Sequence, residues 1–255
     1  MLDIRKLKYF YYSQNSLNTF SKCPLKFKLK YMEDIAWRND SPLDLEFYNS
    51  IKTGLDFHLI CERYFSNIPI GIECCSEEVI KWTEALKRKM LINKNYLYFP
   101  EYEIKMVKDH IRLQAKYDLV IIKPDGGIEI WDWKTENRKL TQMEMEKRVQ
   151  TIVYMYVIME RAKDIFGIDV KAEDIKMTFW QPHYEHQELT VCYSRDIHMK
   201  NEEYIEKLIR NIKDYNFEED FNKELYSKQC KFCEFNYFCN NEKVNFNIIE
   251  ESDSC

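Results

Sequence analysis

The sequence predicts an α/β fold, a mixed central sheet flanked by helices, and three observations carry that prediction. Strand-like apolar runs recur at Tyr102–Val107, Ile111–Ile122, Ile128–Thr135, Ile175–Gln181 and Gln187–Tyr193. A stretch with helical spacing, Thr141–Lys163, falls between the third and fourth runs. Of the 255 residues, 45% are hydrophobic and 15% aromatic, enough for one substantial core or a core with a small appendage. Residues 1–255 are therefore read as a single domain, with a mainly helical part at 1–95, an α/β core at 100–215 and a cysteine segment at 228–240.

The elements follow from local punctuation. The N-terminal helical part runs from about Asn15 to Leu91, with Ser16 suited to cap its start and Gly54 opening the helix that carries His58. Ile111–Ile122 and Ile128–Thr135 flank Lys123-Pro124-Asp125-Gly126-Gly127, a turn signal that makes them a hairpin. Pro182–His186 separates the last two strands, and a polar helix from about Ile197 to Tyr215 leads into the cysteine segment. His183 and His186 lie in that turn without neighbouring acids and receive no role.

The hairpin concentrates the chemistry. Side chains two apart on a strand share a face, so Asp132 and Lys134 project together, and hairpin pairing brings Asp118 beside Asp132. Two carboxylates and a lysine converging on a sheet supply oxygen ligands for a divalent cation and a positive group beside an attacking water, the requirements of metal-dependent phosphodiester cleavage. An Asp-x-Lys pair is also a common ion pair on a solvated strand face. Here Trp131 and Trp133 flank Asp132, which suits a covered strand, where a carboxylate needs a charged partner or a metal.

Nine cysteines are present, and spacing separates them. Cys230, Cys233 and Cys239 form a Cys-x2-Cys-x5-Cys run that lacks a fourth ligand, and Cys23, followed by the helix-interrupting Pro24, is the candidate to complete it. Cys61, Cys74, Cys75, Cys192 and Cys255 have no ligand spacing, and Cys61 reads as a small apolar residue on a helix face. An odd count and no secretory leader argue against disulfides. With no second Cys-x2-Cys pair, an iron–sulfur cluster is preferred and zinc is the alternative.

The order Cys23-Pro24-x2-Phe27, Gly54-x3-His58, Asp118, Asp132-x-Lys134, Gln150-x3-Tyr154 and Cys-x2-Cys-x5-Cys resembles the PD-(D/E)XK nuclease superfamily, and within it the RecB-like iron–sulfur nucleases, which include AddB-type nuclease domains and CRISPR-associated exonucleases. The resemblance spans about Ser13 to Cys239. It implies a restriction-endonuclease-like fold with a C-terminal iron–sulfur clasp. It also implies a magnesium or manganese ion held by His58, Asp118, Asp132 and the Trp133 carbonyl, with Lys134 orienting the water. Cys23, Cys230, Cys233 and Cys239 would hold a 4Fe-4S cluster. Gln150 and Tyr154, one helical turn apart, would support the site, and Glu103 is a further acid for it. Two positions depart from the usual pattern: Ala115 stands where relatives carry glycine, and the second acid is Asp132 rather than Glu. Neither removes a catalytic group.

A net charge of -5 argues against a general polyanion-binding surface, so contact with DNA must be local. Lys22, Lys26, Lys28 and Lys30, interleaved with Phe20, Phe27 and Tyr31, form one such basic, aromatic segment. No apolar run approaches the length of a membrane span, and the cysteine-rich, leader-free sequence points to the cytoplasm. The sequence has no Gly-x4-Gly-Lys-Ser/Thr motif, so a motor would come from a helicase or integrase partner. A non-catalytic DNA-binding or adaptor subunit is the alternative, against which the intact acid-acid-lysine set argues.

Overall fold

The computed structural model describes residues 3–7, 9–35, 45–226, 230 and 233–240, with 45–49 and 74 described in backbone alone. Residues 36–44 of the expected N-terminal helical part, residues 228, 229, 231 and 232 of the cysteine segment, and Cys255 lie outside the described residues.

A long hairpin organises the sheet. Strand β2 (Leu97–Lys108) pairs antiparallel with β3 (Ile111–Ile122) along its length. On its other side, β3 takes β4 (Ile128–Trp133) antiparallel at Leu119–Ile122 and the two-residue β1 (Tyr12–Ser13) parallel at Leu113 and Gln114. Strand β5 (Ile175–Trp180) lies parallel to β4, and β6 (Glu188–Cys192) closes the sheet antiparallel to β5. The mixed sheet flanked by helices is as expected from sequence, with β1 as an addition too short to show a period.

Helices cover the two faces. Helix α1 (Gln14–Lys22), α6 (Val149–Phe166) and α7 (Arg195–Asp214) pack with the larger core, which includes Leu17, Ile104, Leu113, Tyr117, Ile130, Val153 and Ile209. Helix α3 (Leu45–Phe65) and α4 (Glu77–Lys89) form a second core with the sheet, containing Phe57, Ile60, Trp82, Leu119, Trp131, Trp133 and Trp180. Cys61 is buried there, as its small apolar character implied. Among the described residues no helix is long and apolar enough to cross a membrane.

Several local expectations are corrected. Ser13 caps α1, its Oγ accepting from the Ser16 amide at 3.1 Å while Ser16 Oγ accepts from the Ser13 amide at 2.9 Å; Ser16 is thus the third helical residue of a capping box. Gly54 lies inside α3 rather than opening it. The stretch Thr141–Lys163 divides into α5 (Gln142–Lys147) and α6 at Arg148, whose ψ of 137° is extended. Helix α6 ends at Gly167, which adopts the left-handed φ of 70° of a helix C-cap.

The regular alternation of β2 and β3 slips at one level. Phe99 and Tyr102, three apart, both pack against the larger core, and so do Tyr117 and Val120 opposite them. Residues three apart on a regular strand face opposite ways. The change falls at Glu101, whose φ of 48° is left-handed and uncommon for a non-glycine residue in a strand. Pro100 pairs with Leu119 and Tyr102 with Tyr117, so Glu101 stands opposite Asp118.

Past β4 the chain is pinned. Gln181 Nε2 donates to the carbonyls of Glu136 (3.1 Å) and Arg138 (2.8 Å), and its Oε1 accepts from the Leu140 amide at 3.0 Å. Glu144 is held by Arg138 and by Arg148, the latter at 3.0 Å. Hydrogen bonding from Arg138, reinforced by Arg148, brings the Glu144 carboxyl down to about 2.

Two predictions follow from this framework. A Cβ added at Gly54 would stand 2.8 Å from Thr135 Oγ1. Gly54→Ala therefore lowers the urea midpoint, although the helix propensity of alanine alone would raise stability by about 1 kcal/mol; in a Thr135→Ala background the same change becomes stabilising, read as a double-mutant cycle. A depressed folded-state carboxyl contributes stability above its unfolded value and loses it on acidification. Glu144→Gln accordingly flattens the loss of thermal midpoint between about pH 4.5 and 2, the window between its ordinary value and its folded one.

Candidate active site

The acids meet where the sheet forks. Pairing of β4 with β3 ends at Trp131–Leu119, whereas pairing of β4 with β5 continues to Trp133–Trp180. The Trp133 amide, left without a β3 carbonyl, donates instead to Asp118 Oδ2 at 2.7 Å. One side chain thus completes the ladder and keeps its other oxygen for the cleft.

His58 reaches this fork from α3. Its Nδ1 stands 3.5 Å from Asp118 Oδ1 and 3.8 Å from Glu101 Oε1. One ligand atom from each of His58, Glu101 and Asp118 lies within 4.8 Å of the other two, a spacing that fits a shared divalent cation. Burial opposes charge on His58, but Asp118, with Glu101 and Asp132, outweighs it and raises the imidazole well above its ordinary value. For Asp118, burial acts upward, and His58, Lys134 and the Trp133 amide overcome it to bring the carboxyl below the usual range.

Asp132 and Lys134 are 2% and 5% exposed. Lys134 Nζ lies 2.8 Å from Asp132 Oδ2, and Gln150 bridges the pair, donating from Nε2 to Asp132 Oδ1 and accepting from Lys134 Nζ at 3.1 Å. Burial, aided by Asp118, pushes Asp132 up to about 6 despite Lys134. Burial works against the charge of Lys134, yet Asp132 and Asp118 keep its pKa raised. A buried carboxylate beside the His58, Glu101 and Asp118 group, whose acids together outnumber Lys134, fits a cation.

These groups open onto a cleft of about 660 Å³, whose walls also include Tyr154, Thr135, Lys116 and the first turn of α1. The Tyr154 ring packs on Tyr117 at 4.8 Å, so this tyrosine serves both core and cleft.

Glu103 stands at the edge of the site. It lines the cleft but is exposed, pairs with Lys105 at 2.8 Å and stays outside the His58 group, which takes Glu101 instead. Glu101 fell outside the expected strand because Pro100 precedes it; the signal that could have found it is the shared face of residues 101 and 103.

The cysteine segment lies beside Cys23. Cys23 joins α1 to the one-turn helix α2 (Pro24–Phe27), and its Sγ accepts from the Lys26 amide at 3.5 Å. Lys26 and Lys30 bind Glu234, between Cys233 and Cys239, at 2.7 and 3.8 Å. Burial raises the Cys23 thiol, Cys233 to about 12, and Cys239; the thiols add to this mutually, Cys230 acting on Cys23 and Cys23 on Cys233 and Cys239. In the basic segment, Lys26 is buried against Glu234, Lys30 faces the same carboxylate and Lys28 faces Glu33 at 3.8 Å.

None of the curated proteins matches the sequence. Among solved structures, the crystal structure of a "Putative exonuclease" from Eubacterium rectale is similar with TM-score 0.48 and 12% identity, over 84% of this chain and 87% of that one. The crystal structure of SSO0001 is similar with TM-score 0.34 and 13% identity, over 79% and 98% of the two chains. The sequence profile of the PD-(D/E)XK nuclease superfamily matches residues 11–103 and 92–240, stretches that take in His58, Glu101, Asp118, Asp132, Lys134, Cys23, Cys230, Cys233 and Cys239, and the chain belongs to that superfamily.

Proposed function

We propose that this nuclease hydrolyses DNA phosphodiester bonds from strand ends, with magnesium or manganese as its ion, and that an iron–sulfur cluster fastens its C-terminal segment. The observation that carries the reading is the convergence of His58, Glu101 and Asp118 beside the buried Asp132–Lys134 pair at the floor of one cleft.

His58, Glu101, Asp118 and Asp132, with the Trp133 carbonyl, would hold the ion, a largely oxygen ligand set of the kind that magnesium and manganese take. When bound, the ion polarises the scissile phosphoryl group and acidifies a water. Lys134 keeps its proton and presents a positive charge that favours hydroxide next to it. Gln150 holds Lys134 and Asp132 in one geometry, so the ammonium and the carboxylate move as a unit. Tyr154 closes the wall behind them.

Cys23, Cys230, Cys233 and Cys239 would bind the cluster, which supplies a structural cross-link. With no second Cys-x2-Cys pair in the sequence, the ligand pattern favours iron–sulfur over zinc. A reducing cytoplasm suits such a site. The helicase or integrase partner expected from the resemblance belongs to the same reading.

End-labelled DNA tests the activity. Dialysis against EDTA abolishes cleavage and magnesium or manganese restores it, whereas cleavage that survives chelation refutes the metal. Lys134→Ala lowers kcat by about 10²- to 10⁴-fold, the range for loss of a group acting on the attacking water. Internal fragments from a circular substrate would replace the exonuclease reading with an endonuclease one. For the clasp, Cys23→Ser and Cys239→Ser lose iron and acid-labile sulfide, and thermal stability falls. The closed loop spans roughly 200 residues, for which chain entropy sets a scale of about 5 kcal/mol. Stoichiometric zinc without sulfide would identify the alternative metal.

A further inference from the structure

Among the described residues, no helix covers one half of a sheet face beside the site. Helices α3 and α4 cover this side from Leu119 onward, through Leu119, Ile121, Trp131 and Trp133. In the other direction the alternation is strict: Ile111, Leu113, Ala115 and Tyr117 are buried against the larger core, while Arg112, Gln114 and Lys116 face outward on β3 and Glu103, Lys105 and Val107 do so on β2. Among the described residues this strip begins at the His58 group and forms part of the cleft floor through Glu103, Gln114 and Lys116. It runs toward β1 and the first turn of α1, where Ser13 pairs in register with Gln114.

The strip carries regularly spaced cations. Lys116 stands two residues from Asp118, and its Nζ lies 2.6 Å from Glu101 Oε2, so it sits against the metal-binding acids while its side chain remains 62% exposed. Lys105 is directly opposite Gln114, a further two residues along, and its Nζ lies 6.0 Å from the centre of the Tyr11 ring. Two residues of strand advance about 6.7 Å, so the acids, Lys116 and the Lys105–Tyr11 pair form successive steps of one line. Alternating cations along a line that ends in an aromatic ring match the chemistry of a single polynucleotide strand, whose phosphates and bases recur along its length.

Resting on the nuclease reading above, we infer that a single nucleic-acid strand lies along the open face of β2 and β3, with Lys116 contacting the phosphate next to the scissile one, Lys105 the phosphate beyond, and Tyr11 stacking on a base. Glu101 then has two functions: one oxygen faces His58 in the metal group and the other orients Lys116 toward the strand.

Binding of a fluorescein-labelled single-stranded oligonucleotide, followed by anisotropy in magnesium over a series of salt concentrations, tests this. Lys134→Ala serves as carrier so that the strand stays intact. Lys116→Ala and Lys105→Ala each weaken binding and each reduce the slope of log K against log salt by about 0.7, the increment for one phosphate contact on a single strand. Lys116→Arg restores the slope. Tyr11→Leu weakens binding at unchanged slope, as loss of stacking does. Lys163→Ala, in the last turn of α6, changes neither. Unchanged slopes in both lysine variants, or losses confined to duplex DNA, overturn the track. An unmodified chain that fails to cleave while the slopes fall refutes the proposed activity and leaves the track standing; cleavage with unchanged slopes does the reverse.

Discussion

The site depends on the parting of β3 from β4. A continuous sheet separates what lies on its two faces, and here α6 lies on one face while α3 lies on the other. Because β4 leaves β3 after Trp131 yet stays with β5 through Trp133, a gap opens through which groups from both faces meet. His58 comes from the α3 side, and Gln150 holds Asp132 and Lys134 from the α6 side. Asp118 stands at the apex and repairs the broken ladder by accepting the Trp133 amide. An orphaned buried amide would be costly, so the carboxylate proposed as a metal ligand also holds the backbone that carries Asp132 and Lys134.

Aromatic packing sets how far α3 can stand from that fork. Trp131 and Trp133 alternate with Asp132 on β4, so the residues that bracket the acid point toward α3 and α4. Phe65 stacks on Trp133 with ring centres 6.1 Å apart and planes 3° apart, while Trp180 meets Trp133 edge-on at 6.0 Å and Phe57 meets Trp82 at 5.4 Å. Phe57 and Phe65 bracket His58 along α3, and both are buried. Gly54, one turn before His58, lets the helix backbone approach Thr135 just beyond Lys134. Rigid rings at one end and a missing side chain at the other fix the helix laterally and in depth, as placement of a ligand on a moving helix requires.

Much of this was legible in the sequence, for a definite reason. The hairpin acids and Lys134 obey a period of two and a recognisable turn, and β3 runs from Ile111 to Ile122 as the pattern indicates. What escaped were features that break a period. Glu101 sits at the left-handed residue where the alternation of β2 slips, directly after a proline, and Glu103, its regular neighbour, drew the assignment instead. Strand β1 is two residues long, below the length at which alternation registers. The carboxylate that Lys26 and Lys30 face, Glu234, lies some two hundred residues away in sequence, beyond the reach of a local pattern. Local patterns report faces and turns; they do not report which distant charge answers a given one.

Electrostatics then separates the two sides of the cleft. Toward α6 the acid and lysine are buried, bridged by one amide and nearly inaccessible to water, so their mutual charge is weakly screened and their geometry rigid. Toward β2, Glu103, Lys105 and Lys116 are exposed and Glu101 is half-buried, and these groups, paired across short distances, exchange partners with solvent at little cost. In the proposed reading, a polyanion approaching this cleft would meet the exchangeable charges first, and only its reacting phosphate would reach the buried pair. The kink at Glu101 stands at the boundary between the two regimes, with one carboxylate oxygen turned to each. The strained backbone at that residue therefore has a physical return: a regular strand would have sent its side chain wholly to one side, and the buried pair would have lost its connection to the strip proposed to guide the nucleic-acid strand.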